Sequence, residues 1–165
     1  MTDDFEGALA RRIVAFLREI GLTVTACDLA MPCFLPGIQI RDGALLVDEA
    51  KLLYPGDLLH EAGHLAVKTA RNRAKAGVDA GKFQAQEIGA ICWSYAALMH
   101  IGLDPAVVFH PAGYRGASDN FIENFTQGYA PGLPLLQWMG LTFDEKNAPE
   151  HGVPPFPHMV RWLRA

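Results

Sequence analysis

The sequence predicts an α+β fold, mainly helical, in which a small antiparallel β-hairpin precedes a helix carrying two histidines. Three observations lead there. Apolar residues recur at three- and four-residue spacing over 3–20, and two further helical stretches cover 57–70 and 82–101. Ile38 and Ile40 alternate with polar neighbours, meet the tight-turn pair Asp42-Gly43, and are answered by Leu45 to Val47. From 110 to 157 glycine and proline are dense and aromatics interspersed, which reads as loop-rich but too aromatic to be disordered.

The elements follow in chain order. Phe5, Leu9, Ile13, Phe16, Leu17 and Ile20 make one face of the first helix, with Asp3 or Asp4 as its cap and Gly21 as its stop. Residues 22–35 read as irregular, with Pro32 and Pro36 as breakers. After the hairpin, Asp57 is a suitable N-cap for a helix to about Ala70. A polar stretch with Gly77 and Gly81 leads to a helix from Lys82 to Ile101, rich in alanine, isoleucine and aromatics and so expected to be buried; Gly102 ends it. Asp104 and Pro105 start a short turn. Ser118 caps a short helix over "SDNFIENFTQ", and a last helix spans Pro157 to Arg164. With 165 residues, no internal repeat and no low-complexity tract, one domain over 1–165 is expected: a core at about 36–103 and a loop-rich wrap over 104–165.

Composition narrows the function classes. Net charge is −4 and the basic residues are scattered, so no stripe supplies phosphate contacts and nucleic acid is not expected as a partner. Charged residues make up 19%, below the usual quarter, which leaves room for a subunit contact such as a homo-oligomer. No run approaches 18 apolar residues, so no membrane span is expected. The acidic start "MTDDFEGALARRIV" has no apolar signal region. Cys27, Cys33 and Cys92 are odd in number and lack CxxC spacing, which suits free thiols in a reducing compartment. The expectation is a cytoplasmic protein.

The chemistry concentrates in "DLLHEAGHLAV". On a helix His60 and His64 differ by roughly 40° about the axis, so both rings reach one side. Two imidazole nitrogens can share a zinc ion at about 2.0–2.1 Å. Glu61 beside them can hold a water on that ion and take its proton as a general base. This is the H-E-x-x-H arrangement of metallopeptidases. The metzincin continuation is absent, because Val67 and Ala70 occupy the required glycine and histidine positions. A third ligand from a second helix fits Glu87, whose face also carries Ala90, Ile91 and Ser94; Glu123, His110 and Asp104 are the alternatives. His100 lies roughly 140° from Glu87 around the same helix. Groups able to steady an oxyanion or contact substrate are His110, Tyr114 and Arg115 in one glycine-rich loop, with Tyr129 and Tyr95 further candidates. His151 and His158, set among prolines, read as packing or surface residues.

The order "GIQIRDGALLVDEAKLLYPGDLLHEAGHLAV…QEIGAICWSYAALM" resembles the ImmA/IrrE-like zinc metallopeptidases, a group of bacterial gluzincins, over about residues 36–103. The resemblance implies a zincin-like domain, Zn2+ held by His60, His64 and Glu87, Glu61 as base, and a peptide or protein substrate. Trp93, Ser94 and Tyr95 depart from the family's usual positions, its DNA-binding partner domain is absent, and residues 110–165 have no counterpart there. In zincins an extended peptide often adds to the sheet edge before the metal helix; the hairpin 38–47 is the expected edge, and proline at Ile40 or Leu46 is expected to damage peptide binding. A metal-binding but non-proteolytic regulatory or interaction domain, and a metal-dependent hydrolase of a small molecule, are the competing functions.

Overall fold

The first helix begins later than its apolar spacing implies. In the computed structural model, which describes residues 4–30, 32–77 and 84–165, α1 runs Ala8–Glu19. Its entry is held by a distant group: the Glu49 carboxylate accepts the N–H groups of Glu6 and Gly7, each at 2.8 Å. Asp4 pairs instead with Arg18 at 2.6 Å, and Asp3 lies outside the described residues. Ile13, Val14, Phe16 and Leu17 form the buried face, and Gly21, at φ +100°, ends the helix in a conformation that glycine adopts without strain.

Three short strands form one sheet: β1 (Val24–Ala26), β2 (Ile38–Arg41) and β3 (Ala44–Val47), in the order β1-β3-β2. The hairpin β2–β3 is antiparallel, and Asp42 and Gly43 turn it with φ of 49° and 76°, the left-handed pair that a two-residue hairpin needs. The sheet is not the hairpin alone. β1 pairs parallel with β3, so the sheet is mixed and part of the stretch read as irregular is a strand. Three residues are too few to show a period of two; pairing with β3 is what makes them a strand. This corrects the edge assignment as well. Leu46 sits in the central strand, paired on both sides, whereas Ile40 belongs to the edge strand β2.

Helix α2 (Asp57–Ala66) follows and is buried on most sides through Leu58, Leu59, Ala62, Gly63, His64 and Leu65. It stops short of Ala70, and a separate turn, α3 (Ala70–Arg73), begins at Thr69. The reason is at its C-terminal end. The backbone N–H of Arg164 donates to the Ala66 carbonyl at 2.9 Å, the Arg164 guanidinium to that of Val67 at 3.3 Å, and Arg73 to that of Lys68 at 3.3 Å. Carbonyls that a continuing helix would use are taken by the far end of the chain.

Helix α4, described from Gln84 to Ile101, is buried from Gly89 to Leu98; its expected start near Lys82 lies outside the described residues, as does Gly81. A helix that is apolar on every face belongs in a core, and α4 packs on α2 and on a helix absent from the sequence reading, α6 (Leu133–Trp138). Six residues are under two turns, too short for a periodic signal; α6 is placed by Leu135 against Gly89 and by Gly132, whose backbone lies on that of Ile88. Between them, Asp104 caps the turn Pro105–Val107 by accepting the Ala106 N–H at 2.8 Å, and α5 spans Ser118–Thr126. Ser118 does not cap α5; its hydroxyl donates to the His110 carbonyl at 2.6 Å.

The C-terminal stretch 157–164 is not a helix but an irregular strap. Its backbone groups are spent on the rest of the molecule. Val160 N–H donates to the Leu141 carbonyl, the Trp162 carbonyl accepts the Trp93 indole N–H at 2.9 Å, and Arg164 N–H goes to α2. These bonds and Pro154, Pro155 and Pro157 leave no helical ladder to form. Among the described residues no helix is long and apolar enough to cross a membrane.

Candidate metal centre

Helices α2 and α4 meet through their smallest residues. A Cβ on Gly63 would lie 2.7 Å from the Ala90 carbonyl oxygen and 3.0 Å from its Cα, so the backbones touch where both side chains are minimal. Glu87 stands one turn before Ala90 and His64 one residue after Gly63. That contact is what brings the Glu87 carboxylate to the histidines of α2.

Three side chains converge there. His60 Nε2 and His64 Nε2 are 3.1 Å apart. Glu87 straddles them, with Oε1 3.3 Å from His60 Nε2 and Oε2 2.9 Å from His64 Nε2. Ligands bound tetrahedrally at about 2.0–2.1 Å stand about 3.3 Å from each other, so these separations are close to those of ligand atoms around one zinc ion. Its chemistry fits too: two imidazoles and a carboxylate all present lone pairs to one point. Glu61 is beside it, with a carboxylate oxygen within 4.8 Å of ligand atoms of both histidines. Of the two glutamates, Glu87 is the one that closes on both Nε2 atoms, which leaves Glu61 adjacent and free for another task.

The electrostatics favour this division. Burial first, and His64 second, push the His60 pKa down to about 4 against the pull of Glu87, so the ring is neutral near pH 7 with a lone pair available. Burial alone would raise the Glu87 pKa, but the hydrogen bond with His64 and the charges of His60 and His64 outweigh it and hold the carboxylate below its ordinary range. Glu61 is shifted the other way: burial raises its pKa, His64 opposes, and Glu87 and Asp57 add to the rise. A ligand needs to be ionised; a proton acceptor that later gives the proton back benefits from a pKa nearer neutrality.

The other predicted residues are distributed unevenly. Tyr114 comes to the site, but behind His60: its hydroxyl oxygen is 3.0 Å from His60 Nδ1. His110 is buried, 2.7 Å through Nε2 from Asp57 Oδ1, with Tyr54 stacked on its ring at 3.8 Å. Asp57 is therefore not a side-chain cap for α2 but the partner of a buried imidazole. Burial raises its pKa and His110 opposes the rise. Arg115 is exposed and makes no hydrogen bond or ion pair to His60, Glu61, His64 or Glu87. Among the alternative third ligands, Asp104 is engaged in its cap and exposed Glu123 accepts from Gln127 at 3.2 Å. Tyr95 stacks on Phe125 at 4.4 Å, Tyr129 is exposed, and His100 packs against Phe16 and Trp162. His151 stacks on Phe143 at 3.9 Å.

Sequence reasoning missed the Asp57–His110 pair. The available signal was the spacing: Asp57 precedes His60 by three residues and Glu61 by four, which puts its carboxylate on the metal side of α2. No protein-family model matches the chain, and no curated protein or solved structure matches it.

Proposed function

We propose that the protein is a zinc-dependent metallopeptidase, with His60, His64 and Glu87 as ligands and Glu61 as general base. The observation that carries the reading is the convergence of His60 Nε2, His64 Nε2 and the two Glu87 carboxylate oxygens at separations of 2.9–3.3 Å, with a second carboxylate beside them. The motif's resemblance to the ImmA/IrrE-like metallopeptidases points the same way. Zinc, when bound, lowers the pKa of a coordinated water to about 7 and polarises a carbonyl. Glu61 accepts a proton and returns it to the leaving amine, a double duty that its raised pKa suits. A peptide is the substrate class favoured by the sheet, because β2 is an edge strand that an extended chain can join by main-chain hydrogen bonds. Cys27, Cys33 and Cys92 form no disulfide with one another, which suits work in the cytoplasm.

The test uses the full chain loaded with one equivalent of zinc and a library of fluorescence-quenched peptides. Wild type cleaves members of the library; Glu61→Gln keeps its zinc by elemental analysis and loses turnover by 10²-fold or more, the order of a general-base contribution. Turnover unchanged in Glu61→Gln overturns the assigned base. Zinc bound tightly with no cleavage by wild type favours a regulatory or interaction domain that keeps the metal site.

A further inference from the structure

The loop 109–118 is fastened to α2 at two points, and the second touches a metal ligand. At the first, His110 Nε2 meets Asp57 Oδ1 at 2.7 Å while the Ser118 hydroxyl holds the His110 carbonyl at 2.6 Å. Gly113 lies directly on that imidazole: a Cβ there would be 3.2 Å from His110 Cε1. At the second, Tyr114 packs edge-on against the His60 ring with its hydroxyl on Nδ1 at 3.0 Å. Phe109 and Phe121 back the tyrosine ring, each at 5.2 Å. At the second point the backbone is strained. Tyr114 itself and Arg115 after it have positive φ, 54° and 53°, the left-handed region that is unfavourable for any residue with a Cβ. Such strain persists where the surroundings over-determine it. Here they are the buried His110 anchor and the aromatic shelf.

We infer that Tyr114 is the positioning residue for His60, and that the Asp57–His110 pair exists to hold Tyr114 there. The inference rests on the zinc site proposed above. With His60 Nε2 given to the cation, Nδ1 carries the ring proton and donates it to the Tyr114 oxygen. The hydroxyl thus fills the place that a carboxylate or backbone carbonyl fills behind most metal-bound histidines, selecting one tautomer and fixing the ring plane. The asymmetry between the two ligands sharpens the point. Among the described residues no partner reaches His64 Nδ1, so His60 is the imidazole with a side-chain partner behind it. Behind its Nδ1, His64 has only the packing of a side chain with 2% of its surface exposed.

The experiment measures zinc affinity of the full chain by chelator competition, for wild type, Tyr114→Phe, Ser118→Ala and His110→Gln. Imidazole nitrogen NMR of the zinc-loaded forms reports which nitrogen of His60 carries the proton and whether that proton is shielded from exchange. Tyr114→Phe keeps the aromatic packing and removes only the oxygen. The expected result is zinc binding weakened about 10- to 100-fold, the usual cost of losing an outer partner of a ligand, with the slow-exchanging Nδ1 proton of His60 lost. Ser118→Ala, which loosens the loop without touching α2, weakens zinc in the same direction. His110→Gln does so too, and adds little when combined with Tyr114→Phe. Zinc affinity and the Nδ1 proton unchanged in Tyr114→Phe, while wild type binds one zinc, overturns the positioning role and leaves the metal site standing. Wild type without stoichiometric zinc overturns both. Should His110→Gln fail to fold, the tyrosine and serine variants decide.

Discussion

Gly63 of α2 and Ala90 of α4 share one point of space: any Cβ at residue 63 would stand 2.7 Å from the Ala90 carbonyl oxygen. Glycine inside a helix costs up to about 1 kcal/mol relative to alanine, and the return is a backbone contact that sets the Glu87 carboxylate 2.9 Å from His64.

Gly63→Ala therefore destabilises the protein in spite of its better helix propensity. The atoms it would meet are Ala90 backbone, so α4 has to shift. Overpacking of this kind costs about 1–3 kcal/mol, and the shift also opens the gap between Glu87 and the histidines. Thermal unfolding with and without zinc checks it: the melting temperature falls, and the rise that zinc produces becomes smaller than in wild type. An unchanged zinc-induced rise would show that the helix contact does not govern the site.

Zinc is expected to stabilise the folded chain through Glu87. A ligand present at a thousand times its dissociation constant adds about 4 kcal/mol, which for a chain of this size is about 8–16 °C in melting temperature. Chelation removes the gain. Glu87→Ala removes most of it, since two histidines alone hold the ion more weakly, whereas Glu123→Ala, on exposed α5, leaves it intact. Calorimetry on the three proteins distinguishes them.

The metal-free protein has a predictable response to acid. Burial and His64 take the His60 pKa from 6.5 to about 4. In the unfolded chain that imidazole picks up its proton near 6.5, so between 6.5 and 4 the unfolded state binds more protons than the folded one. Stability is then complete above about 6.5 and declines as pH falls toward 4. Glu87, whose pKa is lowered, adds loss in the same direction at lower pH, and Glu61, whose pKa is raised, works against both. Urea unfolding in chelator, wild type against His60→Asn, isolates the histidine: the variant shows a shallower decline over 6.5 to 4. Equal slopes would mean that His60 is not a buried neutral imidazole.

Much of the site was legible because helical spacing is local. His60 and His64 are placed on one side of α2 by four-residue periodicity alone, with Glu61 next to them. The loop was legible only as composition. His110, Tyr114 and Arg115 share it, yet the first is buried on Asp57, the second stands on His60 and the third is exposed, with positive φ at both Tyr114 and Arg115 turning the chain there.

By itself the sequence determined the α+β class, the hairpin turn at Asp42-Gly43, the two long helices, and the pairing of histidines on one face. Each depends on neighbours within a few residues. Only the tertiary structure decided that β1 completes a mixed sheet, that the C-terminal strap satisfies the end of α2 instead of coiling into a helix, and that Asp57 serves His110. Those choices depend on backbone and polar groups finding partners tens of residues away: Arg164 reaches Ala66, Trp93 reaches Trp162, and His110 reaches Asp57. A buried polar group takes whatever partner the assembled chain puts within reach, and no local pattern records which one that is.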